Sequence, residues 1–329
     1  MIDSFQDVRV CVTGGAGFIG SHLVDALVAS GAIVSVLDDL STGREENLAA
    51  VRHRARLIEG SLLDAHARRQ ALERVDIVFH LAAYVSAPGS VREPMACHRV
   101  NTEGTLALLE SCQERGVRRI VFASSAAVYG DSEVSPKRES EPILPCSVYA
   151  QSKAAGEHLL RVWNRVHGLE AVSLRFFNVF GPRQLADSAY AAAIAAFASA
   201  LLEGRPITIF GDGSQTRDFV PVANVVQCLM RAAARSGQAD ARAFNVGMGR
   251  ATAIREIAAI MAGIVGRPFE PAWAPPRPGD VLHSCADIGE ARGRLGYEPQ
   301  VTVERGLRDT LAWYLERLST SPGSSRSMP

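Results

Sequence analysis

Up to Phe176 the chain alternates two kinds of segment. Short, mostly apolar runs recur at Val8–Thr13, Ile33–Leu37, Ala55–Glu59, Ile77–Leu81, Ile120–Ala123 and Ala171–Phe176. Longer stretches with apolar positions at helical spacing lie among them. In Phe18–Ser30 these positions are Ile19, Leu23, Ala26 and Leu27, and the pattern predicts further helices over Pro94–Arg115 and Val148–His167. Strands without a polar face, separated by helices, predict a parallel sheet covered on both sides. Right-handed crossovers then wind it into a doubly wound α/β fold.

The pattern changes after Phe177. Gly181–Pro182, Gly204, the Gly-Asp-Gly turn at 211–213 and the Pro/Gly-rich run at 275–279 punctuate shorter elements. Helices are predicted over a small-residue stretch at 189–197, over Pro221–Arg235 and over Thr252–Val265, with a strand at Ala243–Val246 placed to rejoin the sheet. We therefore expect a nucleotide-binding domain over 1–177, with segments near 214–248 returning to it. A smaller, interleaved C-terminal lobe over 178–319 closes over the strand ends, and the polar segment 320–329 is too poor in apolar residues to pack.

At 329 residues the chain exceeds the ~250–300 at which one core stops growing, in keeping with a large domain plus a lobe. Thirty-five basic and 35 acidic residues cancel, which removes the electrostatic footprint of a nucleic-acid or membrane-surface binder and points to a small-molecule partner. The polar N-terminus has no apolar run of the ~20 residues a membrane span needs, and it does not read as an export signal. Six dispersed cysteines form no CxxC pair, and the eight histidines show no ligand spacing. The expectation is a reduced, metal-free, cytoplasmic protein.

Candidate chemistry begins at Thr13-Gly14-Gly15-Ala16-Gly17-Phe18-Ile19-Gly20, between the first strand and first helix. A turn without Cβ atoms lets backbone N–H groups reach a pyrophosphate, and the helix N-terminus favours its charge. Asp38 ends the second strand, where a carboxylate accepts ribose hydroxyls and repels a 2′-phosphate. The order strand, glycine turn, helix, strand, acid favours NAD over NADP. Tyr149 and Lys153 share one face of a predicted helix. A phenol titrates near ~10 and becomes a base at neutral pH only with a cation beside it, a role open to Lys153. Ser124 and Ser125 end the fifth strand, where strand ends and helix starts meet.

Read together, TGGAGFIGSHLV, HLAA (80–83), the Ser-Ser before AAVYG, YxxxK, LRFFNVFGPRQ (174–184), QTRDFVPV (215–222) and RPGD (277–280) resemble the extended short-chain dehydrogenase/reductase family. Within it they are most similar to nucleotide-sugar 4-epimerases acting on UDP-hexoses and UDP-N-acetylhexosamines. The resemblance implies a Rossmann sheet and bound NAD. Gly14, Gly17, Phe18 and Ile19 would cradle the pyrophosphate. Asp38 would hold the adenosine ribose, and Leu81, Ala82 and Ala83 would line the cofactor. Asp39, Ser41, Thr42, Gly43, Ser61, Leu62 and Ser124 complete the implied cofactor set, with Ser61 standing where the family usually has Asp. Tyr149 would be the acid/base, Lys153 its partner and Ser125 the substrate anchor. Ser86, Asn178, Arg217, Arg277, Asp280 and Ser284 would bind the UDP-sugar. His80 reads as a packed structural histidine.

The resemblance also narrows the reaction. Relatives that eliminate water carry an Asp–Glu pair just after the strand-end hydroxyl, and decarboxylating relatives keep the Glu. Here the two positions are Ala126 and Ala127, and neither moves a proton. Epimerisation at C4 through a 4-keto sugar, in the service of polysaccharide biosynthesis, is what these residues leave. A UDP-glucuronate 4-epimerase, a nucleotide-sugar reductase and a non-catalytic nucleotide-binding regulator stand as alternatives. Relatives pair through helices near 94–114 and 149–167, so a homodimer is expected. In the family, a bulky Tyr at the position of Ser284 restricts the pocket to plain hexoses; serine leaves room for an N-acetyl group.

Overall fold

A computed structural model describes residues 4–185, 193–235, 241–276 and 282–320. Strand β1 (Arg9–Thr13) leads through the glycine turn into helix α1 (Phe18–Ala29), followed by β2 (Ile33–Asp38), β3 (Ala55–Glu59), α2 (Ala65–Ala71) and β4 (Ile77–His80). Next come α3 (Ala87–Arg92), α4 (Pro94–His98), α5 (Gly104–Arg115), β5 (Arg119–Ser125), α6 (Val148–His167) and β6 (Glu170–Phe176). The second half carries β7 (Asn178–Phe180), α7 (Ala193–Leu202), β8 (Thr208–Phe210), β9 (Thr216–Arg217), β10 (Phe219–Pro221) and α8 (Val222–Ala234). It ends with β11 (Ala243–Val246), β12 (Thr252–Ala253), α9 (Ile254–Ile264), β13 (Ala272–Ala274) and α10 (Val303–Thr320).

The main sheet is seven-stranded and parallel, in the order β11-β6-β5-β4-β1-β2-β3. This is the doubly wound Rossmann fold expected from the sequence. Period-two alternation divides the apolar strand residues between its faces. Val10, Val12, Phe79, Val121, Val172 and Leu174 meet α1 and α8 on one side. Cys11, Val78, Ile120 and Ala171 meet α2, α5 and α6 on the other. A third cluster, with Phe197, Ile209, Ile257, Met261 and Leu311, lies among α7, α9 and α10. The chain order reverses between β1 and β4, and such a switch point opens a crevice at the strand C-termini.

One predicted element is corrected. The helix expected to run unbroken over 94–115 contains a π-helical turn at Arg99–Glu103. Asn101 explains it: its amide bonds the Tyr84 backbone N–H (2.7 Å) and carbonyl (3.2 Å), and Ser152 Oγ (2.9 Å). Thr105 Oγ1 also donates to the Asn101 carbonyl. Side chains inserted this way widen a helical turn, and π-bulges concentrate at functional sites. The helix expected at 189–197 is described only from Ala193, as α7, and the tail beyond 320 lies outside the described residues. All six cysteines are free. Among the described residues no helix is long and apolar enough to cross a membrane, and no His/Cys/Asp/Glu group is arranged to hold a metal.

Candidate active site

The glycine turn closes directly over the switch point. Gly14 has φ +70°, and a Cβ there would lie 2.6 Å from Ala82 N; one on Gly20 would lie 2.1 Å from the Gly14 carbonyl. Only glycine permits this packing of turn, helix and β4. Gly17 stands at the N-cap of α1, where no side chain caps the helix, so the Phe18 and Ile19 amides head an uncapped first turn. Ile19 packs against the core and Phe18 lies edge-on to His22.

Asp38 is buried. One carboxylate oxygen accepts the Ala16 amide (2.9 Å) and the other the Leu40 amide (2.9 Å). Burial pushes its pKa up, and the two amides oppose the shift. Each oxygen keeps a second lone pair for a ribose hydroxyl. Gly43 packs on this carboxylate, since a Cβ would sit 2.6 Å from Oδ1. Asp39 and Ser41 are exposed and bond each other, Ser41 Oγ donating at 2.6 Å, and Thr42 is exposed beside them. Ser61 Oγ accepts the Leu63 amide, while the Leu62 side chain is buried in the second core cluster. Leu62 therefore offers the crevice only backbone. An uncapped helix start, a glycine-rich turn and a buried strand-end carboxylate fit a dinucleotide.

Leu81, Ala82 and Ala83 border the turn, half-buried, with the Leu81 amide on the Thr13 carbonyl (3.1 Å) and the Ala82 amide on Thr13 Oγ1 (3.2 Å). His80 beside them is structural, as expected. Thr105 gives its proton to Asn101, so it accepts from His80 Nε2 (2.9 Å), and Thr13 must donate to Nδ1 (2.8 Å). Burial, with Lys153 nearby, pushes this imidazole down to about 3.

Helix α6 brings Tyr149 and Lys153 to the end of β5. Ser147 caps the helix through the Ala150 amide (3.1 Å), and Ser90 Oγ accepts the Tyr149 amide (3.0 Å). Tyr149 and Ser125 share a side-chain hydrogen bond, which lowers the phenol's pKa against a larger upward push from burial. Lys153 is buried, donates to the Ala123 carbonyl (2.8 Å) and lies 5.9 Å from the Tyr149 ring centroid. Burial lowers it to about 8. A neutral phenol within reach of a strand-end hydroxyl and a buried ammonium can exchange a proton with a substrate hydroxyl.

Other expected residues lie elsewhere. Ser124 turns its hydroxyl inward, donating to Glu157 (2.5 Å), because Glu157 and Arg175 form a buried ion pair (2.8 Å) behind β5. The Ser124 hydroxyl therefore does not face the crevice, and a contact with the cofactor would have to come from its backbone. Ser86 caps α3 through the Gly89 amide (2.9 Å). Asn178 is exposed at the start of β7, with its amide on the Asp218 carbonyl (3.0 Å). Arg217 lies on β9, and Ser284 is joined to that strand through the Thr216 carbonyl (3.1 Å). Arg277 and Asp280 lie outside the described residues. Asn101, Glu157 and Asp218 were not singled out from the sequence; an Asn and a Thr spaced one turn apart on an otherwise apolar helix face were the available signal for the first.

The model of the NAD dependent epimerase/dehydratase family matches residues 10–247. The chain belongs to this family. A UDP-glucose 4-epimerase of Mycolicibacterium smegmatis is 41 % identical over 311 residues, covering 93 % of this chain and 98 % of the relative. Among solved structures, the UDP-N-acetylglucosamine 4-epimerase of Methanobrevibacter ruminantium, in complex with UDP-N-acetylmuramic acid, superposes with TM-score 0.90 at 39 % identity, covering 95 % of this chain and 99 % of that one. The UDP-glucose 4-epimerase of Thermus thermophilus in complex with NAD gives 0.85 at 38 % identity, covering 94 % and 99 %. Family membership makes NAD the dinucleotide that the glycine turn and Asp38 fit.

Proposed function

We propose that this chain is an NAD-dependent UDP-sugar 4-epimerase. The observation that carries the reading is the convergence of Ser125, Tyr149 and Lys153 at the end of β5, beside two alanines, Ala126 and Ala127. NAD, when bound, supplies a hydride acceptor and donor. Gly14, Gly17, Phe18, Ile19 and Asp38 would hold it. Ser125 orients the C4 hydroxyl of the sugar, and Tyr149, once it has lost its own proton to solvent and become a phenolate, takes the hydroxyl proton as the 4-keto sugar forms. Lys153 keeps the phenolate charge near a cation. After the keto sugar turns, Tyr149 returns the proton to the oxygen of the inverted centre. Elimination needs a further acid and base, and Ala126 and Ala127 provide neither.

Asn178, Arg217 and the segment around Ser284 form the substrate side, with Arg277 and Asp280 expected to complete it. Guanidinium groups suit a diphosphate because they fork onto its oxygens. Exposed apolar residues on neighbouring helices, Met95 on α4, Leu106 on α5, and Val162 and Val166 on α6, support a homodimer through that face. Six free thiols support a reducing, cytoplasmic location, and the UDP-sugar such an epimerase would supply suits polysaccharide precursor synthesis. The test is a panel of UDP-sugars followed by anomeric NMR without added cofactor. Inversion at C4 with retained NAD(H) absorbance is expected. Net consumption of added cofactor would instead make the chain a reductase.

A further inference from the structure

The segment 282–287 is an extended strap with two edges. Along one edge it pairs with β9: the Thr216 amide donates to the Leu282 carbonyl (2.9 Å) and the Ser284 amide to the Thr216 carbonyl (3.1 Å). Along the other it pairs with the loop after β5, through the Lys137 amide to the Cys285 carbonyl (2.8 Å) and the Asp287 amide to the Lys137 carbonyl (2.8 Å). One register step beyond Ser284 on the first edge, the Ala286 amide is received by a side chain, Asp218 Oδ2, at 3.1 Å.

Asp218 has no exposed surface. Oδ2 also accepts the Gly249 amide (2.9 Å), and Oδ1 accepts the Met248 amide (2.6 Å). The backbone carbonyl of the same residue receives the Asn178 amide (3.0 Å), and its chain neighbour is Arg217. Asn178, Arg217 and Ser284 come from three separate stretches of chain: Asp218 bonds the Asn178 backbone, follows Arg217 directly, and holds the Ser284 strap at Ala286, two residues beyond Ser284. A carboxylate accepts several N–H donors at once and holds them more firmly than a neutral acceptor.

We propose that Asp218 is the positioning residue for substrate affinity and sugar selectivity, fastening the Ser284 strap to the strand that carries Arg217. The proposal rests on the UDP-sugar reading of the site. Two substitutions attack the fastening from opposite sides. Asp218→Asn keeps the shape but places an amide donor against a backbone donor, at Met248 or at Gly249 and Ala286. Gly247→Ala leaves Asp218 in place, but its Cβ would lie 2.6 Å from Asp218 Oδ2 and 2.8 Å from the Ala286 Cβ, wedging carboxylate and strap apart.

Each variant, in NAD-loaded full-length protein, is expected to raise KM for the UDP-sugar roughly ten-fold, about 1.4 kcal/mol. With kcat kept within roughly three-fold, the ratio of kcat/KM between N-acetylated and plain hexoses should shift measurably. Amide exchange should accelerate in 282–287 and 247–249 and not in β1–β6. Loss of kcat at unchanged KM, or wild-type KM and sugar ratio in both variants, overturns the proposal. If the native chain turns over no UDP-sugar, the functional reading falls. Amide exchange on the same samples then decides separately, and unchanged protection of 282–287 in both variants shows that Asp218 does not hold the strap.

Discussion

Glu157→Gln tests the buried polar frame behind the site. Glu157 and Arg175 side chains are 2 % and 3 % exposed and meet through two hydrogen bonds, Nε to Oε1 at 2.9 Å and a terminal nitrogen to Oε2 at 2.8 Å. Oε1 also accepts Ser124, and Arg175 donates onward to Tyr129 Oη (2.9 Å), which donates to Asn245 (2.7 Å). Glutamine keeps the volume but removes the charge and turns a donor toward a guanidinium that has only donors. Removing one member of such a pair costs ~3–5 kcal/mol, because the other charge stays buried without its counter-ion. For a chain of a few hundred residues, ~2–4 °C per kcal/mol converts this to a fall in Tm of roughly 6–20 °C. The assay is urea and thermal unfolding at matched NAD saturation, since a ligand that binds the native state moves both midpoints. The double variant Glu157→Leu/Arg175→Met should recover most of the loss, as apolar replacement of both partners leaves no stranded charge. A single-variant loss below ~1 kcal/mol, or a double variant worse than the single, would refute the reasoning.

Four further outcomes are expected. Tyr149→Phe should lower kcat by at least ~10²-fold while bound NAD is retained, because it removes the proton acceptor and little volume; normal turnover would remove Tyr149 from the mechanism. Asp38→Ala should relax a strong preference for NAD, measured as the ratio of NAD to NADP binding, and equal binding by the native protein would contradict the role given to Asp38. Ser284→Tyr should suppress turnover of UDP-GlcNAc and UDP-GalNAc while sparing UDP-Glc and UDP-Gal, and equal loss of both pairs would mean that Ser284 is no size gate. Lys153 is depressed by burial from 10.5 to about 8, so over that window the unfolded chain binds more protons and stability rises with pH. Cofactor-free wild type should gain on Lys153→Met by up to ~1.4 kcal/mol per pH unit there, checked by urea unfolding at several pH values; parallel curves would contradict it.

The doubly wound sheet was legible because its strands are apolar on both faces and the glycine turn marks the first crossover. Tyr149 and Lys153 were legible as a pair because helical periodicity alone puts them on one face. Ser124 and Glu157 were not, since an exposed and a buried carboxylate look the same in a sequence. What separates them is Arg175, which arrives from β6 only once the sheet has formed. The π-helical turn escaped for a similar reason: the periodicity of 94–115 is helical, and the widening comes from Asn101 reaching Tyr84 and Ser152 on other elements. Asp218 lies inside a motif that was visible, but its partners at 248, 249 and 286 belong to loops whose approach no local pattern encodes.

Two buried polar networks converge on α6. One runs from Thr13 at the glycine turn through His80, Thr105 and Asn101 to Ser152; the other runs from Asn245 through Tyr129, Arg175 and Glu157 to Ser124. Lys153 and Glu157 follow Tyr149 one and two turns along the same helix face, so the helix that presents the phenol is fixed from both directions. Their titrating and hydroxyl groups are spent on one another, with His80 held neutral. In the proposed mechanism, this leaves Tyr149 and Ser125 to act on the substrate oxygen, with Ala126 and Ala127 beside them. Such a crevice can take and return a proton at one carbon's hydroxyl, and the two positions that follow Ser125 offer no second acid or base to direct at a neighbouring carbon. Inversion at a single centre needs the first capacity, and elimination needs both.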